Sequence, residues 1–537
     1  MLLIESVRMC VLMSENMSAI FFPYRRFSEL LKTVFSEDFN KNNLSAIRQK
    51  RQSTALARYL KCLNASWCII ERAYIDKDFM EDYANYYSRC FHEYGKFCCR
   101  VHFFDCTMDA DIARTKLFGR MDGSGLKGLQ EAFLGSYLGF IVFRPLPVTV
   151  YGRVCLRPLA SADSGDTRYL AVQDIDVNLW GIPLFIKTMP YQEQDTVVAA
   201  CATSALWSAF QITGRKFRHS IPPPHRITNI ATQGGACEYR AFPNKGLSLG
   251  DIGRSIFKVG LTQQDIHLST PEHFLAEIYA YLRLGLPVIL IGAVRYAGRS
   301  SDSDDWHAVT VCGFQKTKSK GSWSEFVLEG SSLNRLYCHD DRIGPFTDLI
   351  LDQVNGLWKT KIREFQTKDN GDRIGREKEW QSLSVQCAFV PLYHKIRIQL
   401  IDVRFQLQLF ANALSIWFQK GGSFKELEKE DGIVWDVYLS TDDIIKQAVR
   451  MNYFGTISDS DLENILKRDM PKYIWVISAL QAGSRCVTFL VDATGIAQDI
   501  NVFLMISEDD NLKNVMQFVS RRSEMTLNPF ARCIRES

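Results

Sequence analysis

Residues 195 to 213 read DTVVAACATSALWSAFQIT. Cys201 stands at the head of a helical pattern in which Ala202, Ala205, Leu206, Ala209 and Phe210 fall on one face, with Thr203, Ser204 and Ser208 elsewhere on the wheel. A cysteine attacks as its thiolate, so its pKa must fall from about 8.5 to roughly 3.5 to 7.5 for it to act at neutral pH. A helix start contributes to that: the dipole favours an anion by about 0.3 to 1 kcal/mol, and the free N–H groups can bind an oxyanion. A core helix explains the apolar residues equally well, so Cys201 needs a partner before it means anything.

The partner candidate is His307. Trp306 to Phe314 (WHAVTVCGF) alternates Ala308, Thr310 and Cys312 with Val309, Val311 and Gly313, which predicts a strand with the histidine at its start. It follows the loop 295 to 305 (RYAGRSSDSDD), whose composition suits a lid beside a sheet edge. Farther on, Leu333 to Asp341 (LNRLYCHDD) predicts a second strand that runs into Arg342-Ile343-Gly344-Pro345. An acid where that strand turns can orient the imidazole and stabilise its charged form. Asp340 is preferred and Asp341 is the close alternative. Acyl transfer also needs an oxyanion donor. Gln194, seven positions before Cys201 in YQEQD, can fold back over the helix start together with the Cys201 N–H; Gln192 lies slightly farther away.

Around this centre the chain of 537 residues is long enough for about three domains. Basic and acidic residues number 64 and 60 without long runs of either sign, so nothing marks a nucleic-acid surface. No stretch is apolar and long enough for a membrane span. Fifteen cysteines at irregular spacing suggest reduced thiols in the cytoplasm. Residues 1–185 read as a mixed α/β region. In it Asp76 to Phe91 predicts an amphipathic helix with a solvated charged face, Cys99 to Phe104 and Tyr137 to Phe143 predict strands, and His102 is a hydrogen-bonded structural histidine. Residues 186–355 hold the chemistry. Residues 356–382, with twelve charges in the twenty-two positions 359 to 380, read as a linker or long loop, and 383–537 as a C-terminal mixed α/β region with strands at Cys387 to Leu392, Ile474 to Leu480 and Cys486 to Val491.

Taken together, Gln194 and Cys201 with the following ATSALW, GLSLGDI at 246 to 252, LRLGLPVILI at 282 to 291, WHAVTVCGF and YCHDDRIGP resemble the papain-like cysteine peptidase superfamily over roughly residues 186 to 355. The likeness is to the bacterial branch that includes the bacteriocin-leader-processing peptidases; the flanks resemble uncharacterised bacterial proteins. The resemblance implies an α+β fold, in which a helix bearing Cys201 packs on an antiparallel sheet bearing His307 and Asp340. It implies a cysteine peptidase or amide hydrolase acting on a peptide or protein, with Gln194 as oxyanion donor and no metal or cofactor. Local signals agree with it. Ser248 can cap a helix from Leu249 to Val259, Ser269 or Thr270 another that begins at Pro271, and Val288 to Ile291 is a strand placed beside the histidine strand. The loop 215 to 245 would wall the cleft, with His219, His225 and Cys237 not catalytic.

Three other functions stay open in the sequence. The same triad serves transglutaminase-like acyl transfer, where an amine or thiol replaces water. A catalytically inactive papain-like domain would capture a peptide, with the flanking regions holding a protein partner. A metal site drawn from His307, Cys338, His339 and Asp340 is the least favoured, because alternation would point His339 away from Cys338 and Asp340.

Overall fold

The computed structural model describes residues 20–536, apart from 36–40, 107–114, 160–165, 196–199, 234–245, 297–304, 355–356, 368–372, 377–380, 420–431, 456–457 and 497–498. Cys237 and most of the loop expected as a lid therefore lie outside the described residues. The chain is α+β with antiparallel sheets, as expected.

The N-terminal region is a five-stranded antiparallel sheet ordered Ile20–Pro23, Trp67–Tyr74, Cys98–Phe104, Tyr137–Phe143, Tyr151–Leu156. Across one face lies the hairpin Gln173–Leu179 and Ile182–Thr188, which buries Ile175, Val177, Leu179, Ile182, Leu184 and Ile186 and exposes the residues between them. Its two-residue turn, Trp180-Gly181, has positive φ at both positions, the geometry whose twist matches that of paired strands.

The central region is built on a larger antiparallel sheet. Its strands Val288–Tyr296, Asp305–Lys316, Leu333–Asp340, Gly344–Val354, Leu357–Thr367 and Gln381–Tyr393 pair in that order, and the last pairs with the first. The pairing closes a ring, to which Leu261–His267, Arg373–Arg376 and Asp166–Tyr169 add at Gln381–Tyr393, Leu357–Thr367 and Asp305–Lys316. Within 356–382, expected as a linker, the described stretches Leu357–Thr367, Arg373–Arg376 and the start of Gln381–Tyr393 are strands, and Cys387 to Leu392 belongs to this ring instead of the C-terminal region. Charge density hid these strands, since β-pairing is made by backbone groups, which every residue but proline supplies in full. Two further elements were also missed: the helix Pro224–Thr232 within the expected loop, and the strand Leu261–His267 between the helices Leu249–Lys258 and Pro271–Arg283.

Strand alternation sorts the ring's side chains. Val288, Leu290, Val309 and Val311 join the main core, whereas Ile289, Ile291, Ala308 and Phe389 face Ala202, Leu206 and Phe210 of the helix Cys201–Phe217. That helix is also tied to the ring by the Thr310 hydroxyl, which donates to the Ala205 carbonyl at 2.8 Å. The C-terminal region is an antiparallel meander, Ile433–Thr441, Tyr473–Gln481, Ser484–Asp492 and Val502–Ser507, with Val327–Leu328 of the central region added in parallel at its edge. One core cluster runs through all three regions.

Candidate active site

Cys201 is the first residue of its helix, half-buried, and preceded by Ala200 in extended conformation. Ala200 offers no capping oxygen, so no side chain at that position occupies the N–H groups of the first turn. His307 sits at the third position of the strand Asp305–Lys316, paired with Gly292 on the neighbouring strand. A Cβ on Gly292 would come within 2.2 Å of the Ser384 carbonyl oxygen, so the two strands beside the histidine can approach only because a glycine stands there.

The structure brings His307 and both candidate acids together. Its Nε2 lies 3.0 Å from Asp340 Oδ1 and 3.7 Å from Asp341 Oδ1, and the imidazole is fully buried. Asp340 Oδ1 also accepts the Arg342 backbone N–H at 2.9 Å. Asp340 thus makes the hydrogen bond, while both Asp341 carboxylate oxygens are buried without a hydrogen-bond partner. The Cys201 thiol lies against the same imidazole and favours its protonated form. Nδ1 makes no hydrogen bond of full geometry, and with Nε2 committed to the acids it is the nitrogen left for the thiol. Such looseness is common before substrate binds.

Electrostatics follow from this geometry. Burial pushes the His307 pKa down, but the charge and hydrogen bond of Asp340, the Cys201 contact and the charge of Asp341 outweigh it, and the net shift is well upward. Burial likewise opposes ionisation of Asp340, yet His307 and Arg342 hold its carboxyl below the usual value. Asp341 has burial and the Asp340 charge against it and is pushed up to about 6, despite the pull of His307 and Arg342.

His307, Asp340 and Asp341 offer donor atoms within 4.8 Å of one another, the one grouping among the described residues that could hold a metal ion. Loading it would require breaking the His307–Asp340 hydrogen bond, because both use Nε2. His339 belongs to neither arrangement. It donates from Nε2 to the Met189 carbonyl at 2.9 Å, accepts the Phe346 N–H at Nδ1 at 3.1 Å, and burial lowers its pKa to about 4.

Gln194 is half-buried in the extended strip Tyr191–Asp195; residues 196–199, which connect it to Cys201, are outside the described set, and its amide bonds neither Cys201 nor His307. Gln192 is buried. His219 bonds Thr213 and Ser220, and His225 bonds Asp82, so both are held in structural roles, as is His102 by Tyr137 and Glu71.

The N-terminal region supports the site in a way the sequence did not reveal. In the helix Lys77–Asn85 two acids expected to be solvated are buried, while Lys77 is exposed: Asp78 accepts from Trp207 Nε1 at 2.9 Å and from Arg153 at 2.6 Å, and Asp82 holds His225 at 2.8 Å. Tyr87 donates to Asp195 at 2.7 Å, and Gln52 donates to the Asp341 carbonyl at 2.9 Å. The only signal for this was three acids at spacings of two and four on a helix otherwise lined with aromatics. Solvent and a neighbouring domain are equally good partners for such a pattern. No protein-family model matches the chain, and no curated protein matches it.

Proposed function

We propose that the chain is a cysteine peptidase or amide hydrolase that acts on a peptide or protein through Cys201, His307 and Asp340. A single observation carries the proposal: a thiol at a helix start lies against a buried imidazole whose opposite nitrogen is 3.0 Å from a carboxylate. An imidazole held protonated by two carboxylates stabilises a neighbouring thiolate, and the helix dipole adds to that.

The Cys201 thiolate attacks the amide carbonyl and forms a C–S bond. The oxyanion of the tetrahedral intermediate is received by the Cys201 N–H and the Gln194 amide. His307 gives its proton to the leaving amine as the C–N bond breaks, and Asp340 holds the ring in place throughout. Water, deprotonated by His307, then attacks the thioester carbonyl; the C–S bond breaks, the acid leaves and the Cys201 thiolate is restored beside the protonated ring. The acylation half is shared with acyl transfer to an amine; the residues named here fix the electrophile's side of the reaction. Fifteen cysteines and a thiolate mechanism suit a reducing compartment, and we place the protein in the cytoplasm. Among the described residues no helix is long and apolar enough to cross a membrane.

Cys201→Ala is expected to abolish labelling by peptidyl electrophiles and all hydrolysis of p-nitrophenyl acetate above background. Undiminished hydrolysis in that variant contradicts the proposal.

A further inference from the structure

Gln194 lies between two acids that are both anchored elsewhere. The Glu193 carboxylate forms an ion pair with Lys50 and accepts the Tyr151 N–H at 3.2 Å, and Arg144 donates to the Glu193 carbonyl at 3.3 Å. The Asp195 carboxylate accepts the Tyr87 hydroxyl at 2.7 Å. The strip itself is extended: Tyr191 pairs with Val154 in both directions, and the Glu193 N–H donates to the Tyr151 carbonyl. In extended chain successive side chains point to opposite sides. Glu193 and Asp195, at 2% and 3% exposure, are turned into the N-terminal region by these bonds, and Gln194 between them is the more exposed of the three.

Lys50, Tyr87 and Tyr151 all belong to the N-terminal region. The same region reaches the cysteine helix through Asp78 and Trp207. The oxyanion strip and the nucleophile's helix are therefore both referenced to one body that holds none of the reacting groups.

We propose that Lys50 and Tyr87 are positioning residues for catalysis: by gripping Glu193 and Asp195 on either side of Gln194, they aim its amide at the oxyanion formed at Cys201. This rests on the cysteine-hydrolase function above and adds that the N-terminal region is part of the catalytic unit. Glu193 and Asp195 act through Gln194 alone and touch no substrate.

The test separates a step that passes through an oxyanion from one that does not. p-Nitrophenyl acetate acylates Cys201: the C–S bond forms, the bond to the phenolate oxygen breaks, and p-nitrophenolate leaves through a tetrahedral oxyanion. Iodoacetamide alkylates the same thiolate by displacing iodide, with no oxyanion. The ratio of the two rates in the full chain reads the oxyanion donor and is blind to how much thiolate is present.

Gln194→Ala is expected to lower this ratio by about a hundredfold, the usual effect of removing one such donor. Tyr87→Phe and Lys50→Met are expected to lower it by about tenfold or more, since misplacement on the order of 1 Å can cost up to a hundredfold. Neither should lower it further in a Gln194→Ala background, and alkylation should keep the wild-type rate. The proposal is overturned if the ratio holds in Tyr87→Phe and Lys50→Met while Gln194→Ala lowers it, or if the effects multiply in the double variants. If Cys201 is not alkylated faster than a free thiol in the wild type, the hydrolase function fails and the positioning role fails with it.

Discussion

Two buried histidines in this chain each hold a carboxylate with Nε2: His102 with Glu71 at 2.9 Å and His307 with Asp340 at 3.0 Å. Their surroundings set them apart. At His102, Nδ1 meets the Tyr137 hydroxyl at 2.9 Å, and Arg100 pairs with the same Glu71 carboxylate. Burial lowers the pKa of this ring, Arg100 lowers it further, and Glu71 does not make up the difference. At His307 burial acts in the same direction, but two carboxylates and the Cys201 thiol overcome it. A carboxylate shared with a guanidinium thus leaves a buried structural ring with its pKa lowered, and a carboxylate backed by a second acid leaves one with its pKa raised, next to a thiol.

The largest expected effect comes from removing each ring in turn. His307→Asn should reduce hydrolysis of p-nitrophenyl acetate by roughly a thousandfold or more, as loss of a general base does in such triads. His102→Asn should leave that rate unchanged and lower stability by about 1 to 3 kcal/mol in denaturant unfolding, the usual cost of leaving a buried hydrogen-bonding group unmatched. Equal loss of activity in both variants would erase the distinction drawn here.

Removing the acids should separate them next. Asp340→Asn is expected to reduce turnover by roughly 100-fold or more, because the ring loses its orienting partner and its charged form. Since Asp340 raises the His307 pKa, the alkaline limb of the pH–rate profile should move to lower pH in this variant. Glu71→Gln should leave both turnover and profile in place.

Asp341 gives the smallest effect, and one on stability. Its folded-state pKa is raised to about 6, so between its unfolded value and about 6 the folded chain binds more protons than the unfolded one. Its contribution to stability is therefore greatest in acid and is lost as pH rises through about 6. Asp341→Asn should raise the stability at neutral pH by something on the order of 1 to 3 kcal/mol relative to wild type, with the difference shrinking toward pH 4. Thermal unfolding at the two pH values checks this.

The parts of the site legible in the sequence were the local ones. A cysteine heading an apolar helical pattern, a histidine opening an alternating run, and acids at a strand end before Gly344-Pro345 all follow from periodicity and turn chemistry. Asp340 was preferred over Asp341 on chain order alone; that Asp340 makes the hydrogen bond at 3.0 Å while Asp341 stands 3.7 Å away needed coordinates. The closed ring was not legible: Leu357–Thr367 and Arg373–Arg376 carry too many charges to look like strands although each pairs with a near neighbour in the chain, and the closing pairing of Leu357–Thr367 with Gln381–Tyr393 leaves no local pattern. Nor was the bracing by Lys50, Asp78 and Tyr87, since partners more than a hundred positions apart leave no pattern in a single chain.

The most direct test is the rate at which iodoacetamide alkylates Cys201 between about pH 6 and pH 9, in wild type and in His307→Asn, where an ordinary thiol with its pKa near 8.5 gains steadily in rate. The proposed attack by Cys201 as a thiolate next to His307 predicts a nearly flat rate in the wild type and a steep rise in the variant. A steep rise in both would show that the ring does nothing to the thiol, and the proposed chemistry would have no nucleophile.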